Sequence, residues 1–97
     1  MPVAVSFVPD AMDRAEYELI RAAVLAHGGW PASGLHSHLC FGDEGNLQVL
    51  EVWDSTEALE AFALDVLLPV LGELGIRAPV PTVLPVLVVD DRAPALV

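Results

Sequence analysis

Apolar and polar positions repeat with two different periods along the chain, and each change of period marks an element. Val3 to Val8 is a short, mostly β-branched apolar run, which predicts a first strand. A helix is predicted to begin at Asp13, because Asp13 and Glu16 form a capping box, and to end at Gly28. Its core-facing side chains recur at helical spacing: Tyr17, Ile20 and Val24.

Two strand-like runs follow this helix and predict a hairpin. They extend from Leu35 to Phe41 and from Asn46 to Trp53, and the turn-forming residues Gly42 to Gly45 lie between them. Side chains alternate along each strand, so one face of the hairpin differs in chemistry from the other.

A second helix is predicted from about Ser55 to Leu74, with Asp54 and Glu57 as its capping box and Gly75 at its end. Pro69 lies inside it and should bend or loosen it, because proline cannot donate a backbone hydrogen bond. The helix is apolar on two sides, which predicts burial on two sides by a subunit contact or a ligand lid. One stripe holds Leu59, Phe62, Ala63, Val66, Val70 and Leu74, and the other Leu64, Leu68 and Leu71.

The order of elements predicts a single α+β domain over residues 1–97. Thr82 to Val89 is the last predicted strand, placed at a sheet edge by Pro85, so the core covers about residues 3–89 and a tail follows at 90–97. Order βαββαβ is ferredoxin-like, with a four-stranded antiparallel sheet and two helices on one face. The middle strands are apolar on both sides, so a second copy should cover the bare face and form a homodimeric α+β barrel.

In chain length and element order, the sequence resembles the dimeric α+β barrel superfamily, which includes antibiotic-biosynthesis monooxygenase domains and small polyketide cyclases. The segment Glu51-Val52-Trp53-Asp54-Ser55 and the run Leu67-Leu68-Pro69-Val70-Leu71 before Gly75 carry the resemblance. It implies a homodimer acting on a small molecule. Members of that superfamily differ in activity, so the resemblance implies a fold more than a reaction.

Composition narrows the classes of partner. The formal net charge is −10, and the basic residues are four scattered arginines with no lysine, which argues against binding nucleic acid or an anionic membrane. Cys40 is the single cysteine, which fits a reducing, cytoplasmic setting. The first apolar run is broken by Pro9 and Asp10, so we expect a strand there rather than a signal peptide.

The hairpin carries the candidate chemistry. His36, His38 and Cys40 share one face of the first strand. Val49, Glu51 and Trp53 share one face of the next strand. One register pairs His36 with Glu51, and another pairs His38 with Glu51. In both registers these groups share one face, which we expect to be the inner, dimer-facing side, whereas another set suits the helix-covered side: Leu35, Leu39, Leu50 and Val52.

A histidine beside a carboxylate is a candidate general base, because the carboxylate orients the ring and stabilises its protonated form. We therefore expect His36, His38 and Glu51 to be catalytic without any cofactor. They would take a proton from an apolar, aromatic or polyketide-like molecule, the first step of cofactor-independent oxygenation, cyclisation or isomerisation. The substrate-binding candidates are Trp53, Val49, Tyr17 and Trp30.

Two alternatives to catalysis stay open at this stage. The His–Glu pair could be a satisfied structural contact in a non-catalytic, ligand-binding or accessory dimer. His36, His38 and Glu51 could instead hold a metal ion, since two imidazoles and a carboxylate form a plausible ligand set. The second helix contains no histidine, so the haem ligand that haem-degrading relatives carry there is missing from this sequence.

Overall fold

The chain folds as β1 (Val3–Phe7), α1 (Arg14–His27), β2 (Leu35–Phe41), β3 (Gln48–Trp53), a second helix in three parts, and β4 (Thr82–Pro85). We describe residues 1–87 of a computed structural model. The second helix consists of α2 (Thr56–Phe62), a π-helical segment (Ala63–Leu67) and α3 (Leu68–Leu74). This is the βαββαβ order predicted from the sequence.

The four strands form one antiparallel sheet in the order β2-β3-β1-β4, which confirms the ferredoxin-like prediction. β4 lies at an edge, the position that Pro85 requires because it has no N–H to donate. The last strand was expected to reach Val89. The strand ends at Pro85, so the prediction is wrong for Val86 and Leu87, which lie beyond the ladder; residues 88–89 and the tail at 90–97 lie outside the described residues.

Side chains cap both helices at their N-termini, although one cap differs from the prediction. The Asp13 carboxylate accepts from the backbone N–H of Glu16, and Gly28 ends α1 in the left-handed region, as expected. At the second helix the cap is Ser55, whose hydroxyl accepts from Ala58, and not Asp54. The capping-box prediction at Asp54 is therefore wrong, because the chain turns into the helix one residue later.

The second helix widens into the π-helical segment just before Pro69, where bending or loosening was predicted. The backbone N–H of Leu68 bonds to the carbonyl of Ala63, five residues earlier. In a regular α-helix, each step of four residues overshoots a full turn by about 40°. Wider turns reduce that drift, and they keep Phe62, Val66 and Val70 together on the buried side.

The core lies between the sheet and the helices. It contains the buried side chains of Val3, Val5, Val24, Trp53, Leu59, Phe62, Val66 and Val70. The face that carries Glu51 and Trp53 is therefore covered by the helices of the same chain. The prediction that this face is the dimer-facing side is wrong.

The opposite sheet face is apolar and uncovered in the chain. Leu39 lies directly across from Leu50, and both are exposed, Leu39 at 55%. Of the residues assigned to the helix-covered face, Leu35 packs on the core, whereas Leu39, Leu50 and Val52 lie on the bare side. The two faces were exchanged in the prediction because both are apolar, so hydrophobicity alone did not determine which face packs against the helices.

The second apolar stripe of the long helix is divided by the fold. Leu71 is buried, whereas Leu64 and Leu68 are exposed, Leu64 at 68%. The prediction that this helix is buried on two sides is therefore not met within a single chain. No helix among residues 1–87 is both long and apolar enough to cross a membrane.

Candidate functional site

The β2–β3 hairpin brings His38 opposite Glu51. The loop 42–47 is even in length, so the parity of the strand faces is kept and the second predicted register is the observed one. The Nδ1 atom of His38 lies 2.6 Å from Oε2 of Glu51. This is the paired imidazole and carboxylate that the sequence predicted for one of its two histidines.

His36 does not join this pair. The register of β2 against β3 shifts between Leu35 and Ser37, which leaves His36 as the extra residue of a β-bulge. Its ring is half-exposed and pairs with the carboxylate of Asp54. The prediction that both histidines share a face with Glu51 is therefore wrong for His36, because the bulge reverses the alternation at that residue.

Glu51 is a buried carboxylate with both oxygens satisfied. It is 5% exposed, and its Oε1 accepts from the indole N–H of Trp53 at 3.0 Å while Oε2 meets His38. A buried carboxylate needs such partners, because losing water without replacement costs several kcal/mol (on the order of 2–7 kcal/mol for a polar group). Trp53 itself is 0% exposed, so it positions Glu51 from within the core.

Tyr17 and Trp30 complete the surroundings of His38. The hydroxyl of Tyr17 lies 2.8 Å from Nε2 of His38, and the guanidinium of Arg21 donates to the same hydroxyl at 3.4 Å. Trp30 presents its ring edge to the imidazole, with 5.2 Å between centroids and planes at 84°. The imidazole is thus fixed through both nitrogens and along one side.

A cavity of about 710 Å³ lies between the helix-covered sheet face and the helices. Its volume is in the range that encloses drug-sized molecules. Most of its wall is apolar, and its charged lining residues beyond the group around His38 are Asp10, Glu16 and Arg77. The residues that line it include Phe7, Met12, Tyr17, Ile20, Arg21, Val24, Trp30, His38, Val49, Glu51, Phe62, Leu67 and Leu71.

The structure thus separates the predicted site residues into two sets. Those that line the cavity are His38, Glu51, Val49, Tyr17 and Trp30. Trp53 lies behind Glu51 and His36 lies at the surface, so neither lines the cavity. Sequence reasoning missed Arg21, although its spacing of four from Tyr17 places the two on one side of α1.

The predicted metal ligands are not brought together. His36 pairs with Asp54, whereas His38 pairs with Glu51. Within residues 1–87, no group of three or more His, Cys, Asp or Glu side chains is arranged to hold a metal ion. Cys40 is half-buried, and its loss of solvent raises the pKa of the thiol, which disfavours the nucleophilic thiolate at neutral pH.

Several solved structures share this fold. Rv0793 from Mycobacterium tuberculosis is 25% identical, with a TM-score of 0.60 over 95% of this chain and 99% of that one. A candidate antibiotic biosynthesis monooxygenase from Chloroflexus aurantiacus is 21% identical (TM-score 0.59, 89% and 94% coverage). SnoaB, a cofactor-independent oxygenase from Streptomyces nogalater, is 18% identical (TM-score 0.61, 94% and 97% coverage).

These likenesses confirm, at the level of the fold, the resemblance to antibiotic-biosynthesis-monooxygenase-like proteins stated from the sequence. No family model and no curated protein matches the chain. Identities this low do not carry residue roles from one protein to another, so the chemistry must be argued from the site.

Proposed function

We propose that this protein is a small homodimeric enzyme that binds an apolar, aromatic or polyketide-like molecule. It would use His38 and Glu51 as a general base in cofactor-independent oxygenation, cyclisation or isomerisation. The main observation in support of this proposal is that the His38–Glu51 pair lies in the wall of a large, mostly apolar cavity. His36, outside the cavity, has no part in the proposal.

The arrangement suits proton abstraction. The Glu51 carboxylate orients the ring of His38 and stabilises the imidazolium that forms when the ring gains a proton. Glu51 is buried and Trp53 donates to it, so the carboxylate stays in place while the charge on the ring changes. The apolar wall favours a ligand whose body is hydrocarbon, and a histidine base would require a reacting group that is a weak acid.

Removal of that proton is the first step shared by the candidate reactions. The resulting anion could attack a carbonyl within the same molecule, which closes a ring. It could instead react with O₂, in which case a methylene becomes a carbonyl and one water is released. SnoaB is described as a cofactor-independent oxygenase, which supports the second route as a candidate for this chain.

The uncovered sheet face supports the homodimer. Leu39 on β2, Leu50 on β3 and Leu84 on β4 are exposed on this face, and β1, between β3 and β4, adds the small side chains of Ala4 and Ser6. Apolar surface of this kind on a short chain favours burial against a second copy. The proposal places the dimer contact on this face and the cavity on the other side of the sheet, with a cytoplasmic location and a role in secondary metabolism.

The test compares His38→Ala with His36→Ala. Hydroxylated naphthalenes, anthrones and β-dicarbonyl compounds are first screened by thermal shift, and the stabilising compounds are then assayed by oxygen uptake and mass spectrometry of products. His38→Ala is expected to lower turnover by about a hundredfold to ten-thousandfold, the usual contribution of a general base. His36→Ala should keep wild-type turnover, because its ring pairs with Asp54 outside the cavity.

His27→Ala serves as a further control, because His27 ends α1 and does not line the cavity. Full activity in His38→Ala would contradict the proposal. Binding without turnover in the wild-type protein, together with a His38→Ala variant that only melts earlier, would favour the non-catalytic binding protein instead.

A further inference from the structure

Both ring nitrogens of His38 are already occupied. Nδ1 lies 2.6 Å from Glu51 and Nε2 lies 2.8 Å from the hydroxyl of Tyr17. A molecule in the cavity therefore has no open nitrogen to approach, unless it displaces Tyr17. The position of Tyr17 raises the question of which atom first meets the substrate.

The proton positions in this group follow from what each side chain can do. A carboxylate only accepts, so Nδ1 of a neutral His38 carries the hydrogen and Nε2 is left as an acceptor. The hydroxyl of Tyr17 must then donate to Nε2. Arg21 only donates, so it occupies one of the two lone pairs of the Tyr17 oxygen.

One lone pair of the Tyr17 oxygen remains for the cavity that Tyr17 lines. With its only hydrogen committed to His38, Tyr17 can accept a hydrogen bond from a ligand but cannot donate one. At the Tyr17 oxygen the resting site therefore selects a group that donates, such as the O–H of a phenol or an enol. A carboxylate or a simple ketone offers only acceptors and cannot make this hydrogen bond with Tyr17.

We propose that Tyr17 is the catalytic group that receives the substrate proton, that His38 is its final acceptor, and that the substrate is a hydroxy-aromatic or enolic molecule whose O–H donates to Tyr17. The inference rests on the proposed function of the His38–Glu51 pair and deepens it. The hydroxyl of Tyr17 passes its own proton to Nε2 of His38 as it gains the proton of the ligand.

The relay is balanced in protons and electrons. The ligand loses one proton and becomes an oxyanion, His38 gains one and becomes an imidazolium facing Glu51, and no electron pair leaves either partner. Afterwards the imidazolium N–H points at the Tyr17 oxygen and the new hydroxyl hydrogen points at the oxyanion. Arg21 continues to donate to Tyr17, which stabilises the negative charge that passes through its oxygen.

Two matched probes test the proposal directly: 2-naphthol, which has the donor O–H, and 2-methoxynaphthalene, which lacks it. Binding is measured by titration calorimetry, and ionisation of bound naphthol is measured by its own absorption spectrum. The wild-type protein should bind 2-naphthol about tenfold more tightly than the ether, the worth of one additional hydrogen bond. Tyr17→Phe should remove that preference and the ionised naphthol signal while still binding the ether.

The variants separate this proposal from the one it rests on. If Tyr17→Phe keeps the ionised signal and His38→Gln loses it, the proton reaches His38 directly. The role of Tyr17 is then overturned while the His38 base survives. If neither variant changes the signal, both proposals fail. If the wild-type protein binds 2-naphthol no better than the ether, the substrate class named here is wrong.

Arg21 provides a second measurement with a control on the same helix. Arg21→Gln should bind the ether as the wild-type protein does and should reduce the ionised fraction of bound naphthol severalfold. Arg14→Gln is the matched control, because Arg14 pairs with Glu18 and does not line the cavity. Equal ionised fractions in the two variants would overturn the role of Arg21. Circular dichroism of every variant checks that the fold is kept.

Discussion

Glu51 shows how a carboxyl group can be buried with both of its oxygens satisfied. Its two oxygens have separate partners, the indole of Trp53 and the ring of His38. Among residues 1–87, every buried side-chain nitrogen or oxygen has a hydrogen-bond partner. Removing one partner of a satisfied buried group is costly, because the remaining group keeps its desolvation penalty.

Trp53→Phe tests this argument at the residue scale. It removes the N–H donor of Glu51 and part of the core packing, so we expect the free energy of unfolding to fall by about 2–4 kcal/mol. Urea unfolding followed by far-ultraviolet circular dichroism measures the change. Trp30→Phe is the comparison, because Trp30 is half-buried and contacts His38 and Phe62 through ring edges.

Trp30→Phe should cost less than half as much as Trp53→Phe. Equal losses for the two variants would show that the bond from Trp53 to Glu51 adds no stability. The same two variants also distinguish a residue that could contact a ligand from one that only positions Glu51, because Trp30 lines the cavity and Trp53 does not.

At the scale of elements, the loop after α1 and the π-helical segment meet closely. A Cβ added at Gly29 would lie 2.4 Å from Cγ2 of Val66, a distance that no side chain tolerates without a shift. Gly29 thus allows the loop that carries Trp30 to approach the widened turn. The absence of a side chain here serves packing rather than an unusual backbone angle.

Gly29→Ala is expected to lower the free energy of unfolding by about 1–3 kcal/mol, because the methyl group overpacks the core at Val66. Gly72→Ala is the matched control, since it makes the same chemical change within α3 and meets nothing within 4 Å. The control should be neutral or stabilising by up to about 1 kcal/mol. Similar values for both variants, from chemical denaturation, would contradict the packing argument.

Elements whose determinants are local were predictable, whereas irregular ones were not. Asp13 and Gly28 bound α1 as the sequence indicated, because capping depends on a few adjacent residues. The bulge at His36 carries neither glycine nor proline, so nothing local indicated it. For the π-helical segment, Pro69 signalled a disturbance but not its form.

The candidate site was predictable as a set of residue types and only in part as a geometry. Strand alternation and an even loop predicted that one histidine would face Glu51, and the observed register shows that it is His38 rather than His36. The sequence pattern could not indicate which sheet face the helices cover, because both faces are apolar and the choice depends on long-range packing. Arg21 and the hydrogen bond from Tyr17 to His38 needed the helix placed over the sheet.

At the scale of the whole molecule, the two sheet faces have different surroundings. One faces the helices and the cavity, and the other is open and apolar. Leu50 lies on an interior strand, opposite both Leu39 and Ser6, near the middle of the open face. A charge placed there would be buried in any sheet-to-sheet dimer without a partner.

If the protein forms the proposed homodimer, Leu50→Glu is expected to convert it into a monomer, as measured by size exclusion with light scattering. Leu64→Glu, with the same change in charge at an exposed helix position, should stay dimeric. A monomeric wild-type protein would contradict the dimer outright. If Leu64→Glu dissociated the dimer and Leu50→Glu did not, the dimer contact would instead lie on the second apolar stripe of the long helix, which contains Leu64.

The edge contact between Trp30 and His38 also has a photophysical consequence. The chain has two indoles, and their settings differ, since Trp30 meets the cavity and the imidazole while Trp53 is enclosed in the core. A protonated imidazole withdraws electron density from a neighbouring excited indole and dims its emission. The brightness of Trp30 is therefore expected to depend on the charge of His38, so tryptophan emission would report whether that ring is protonated.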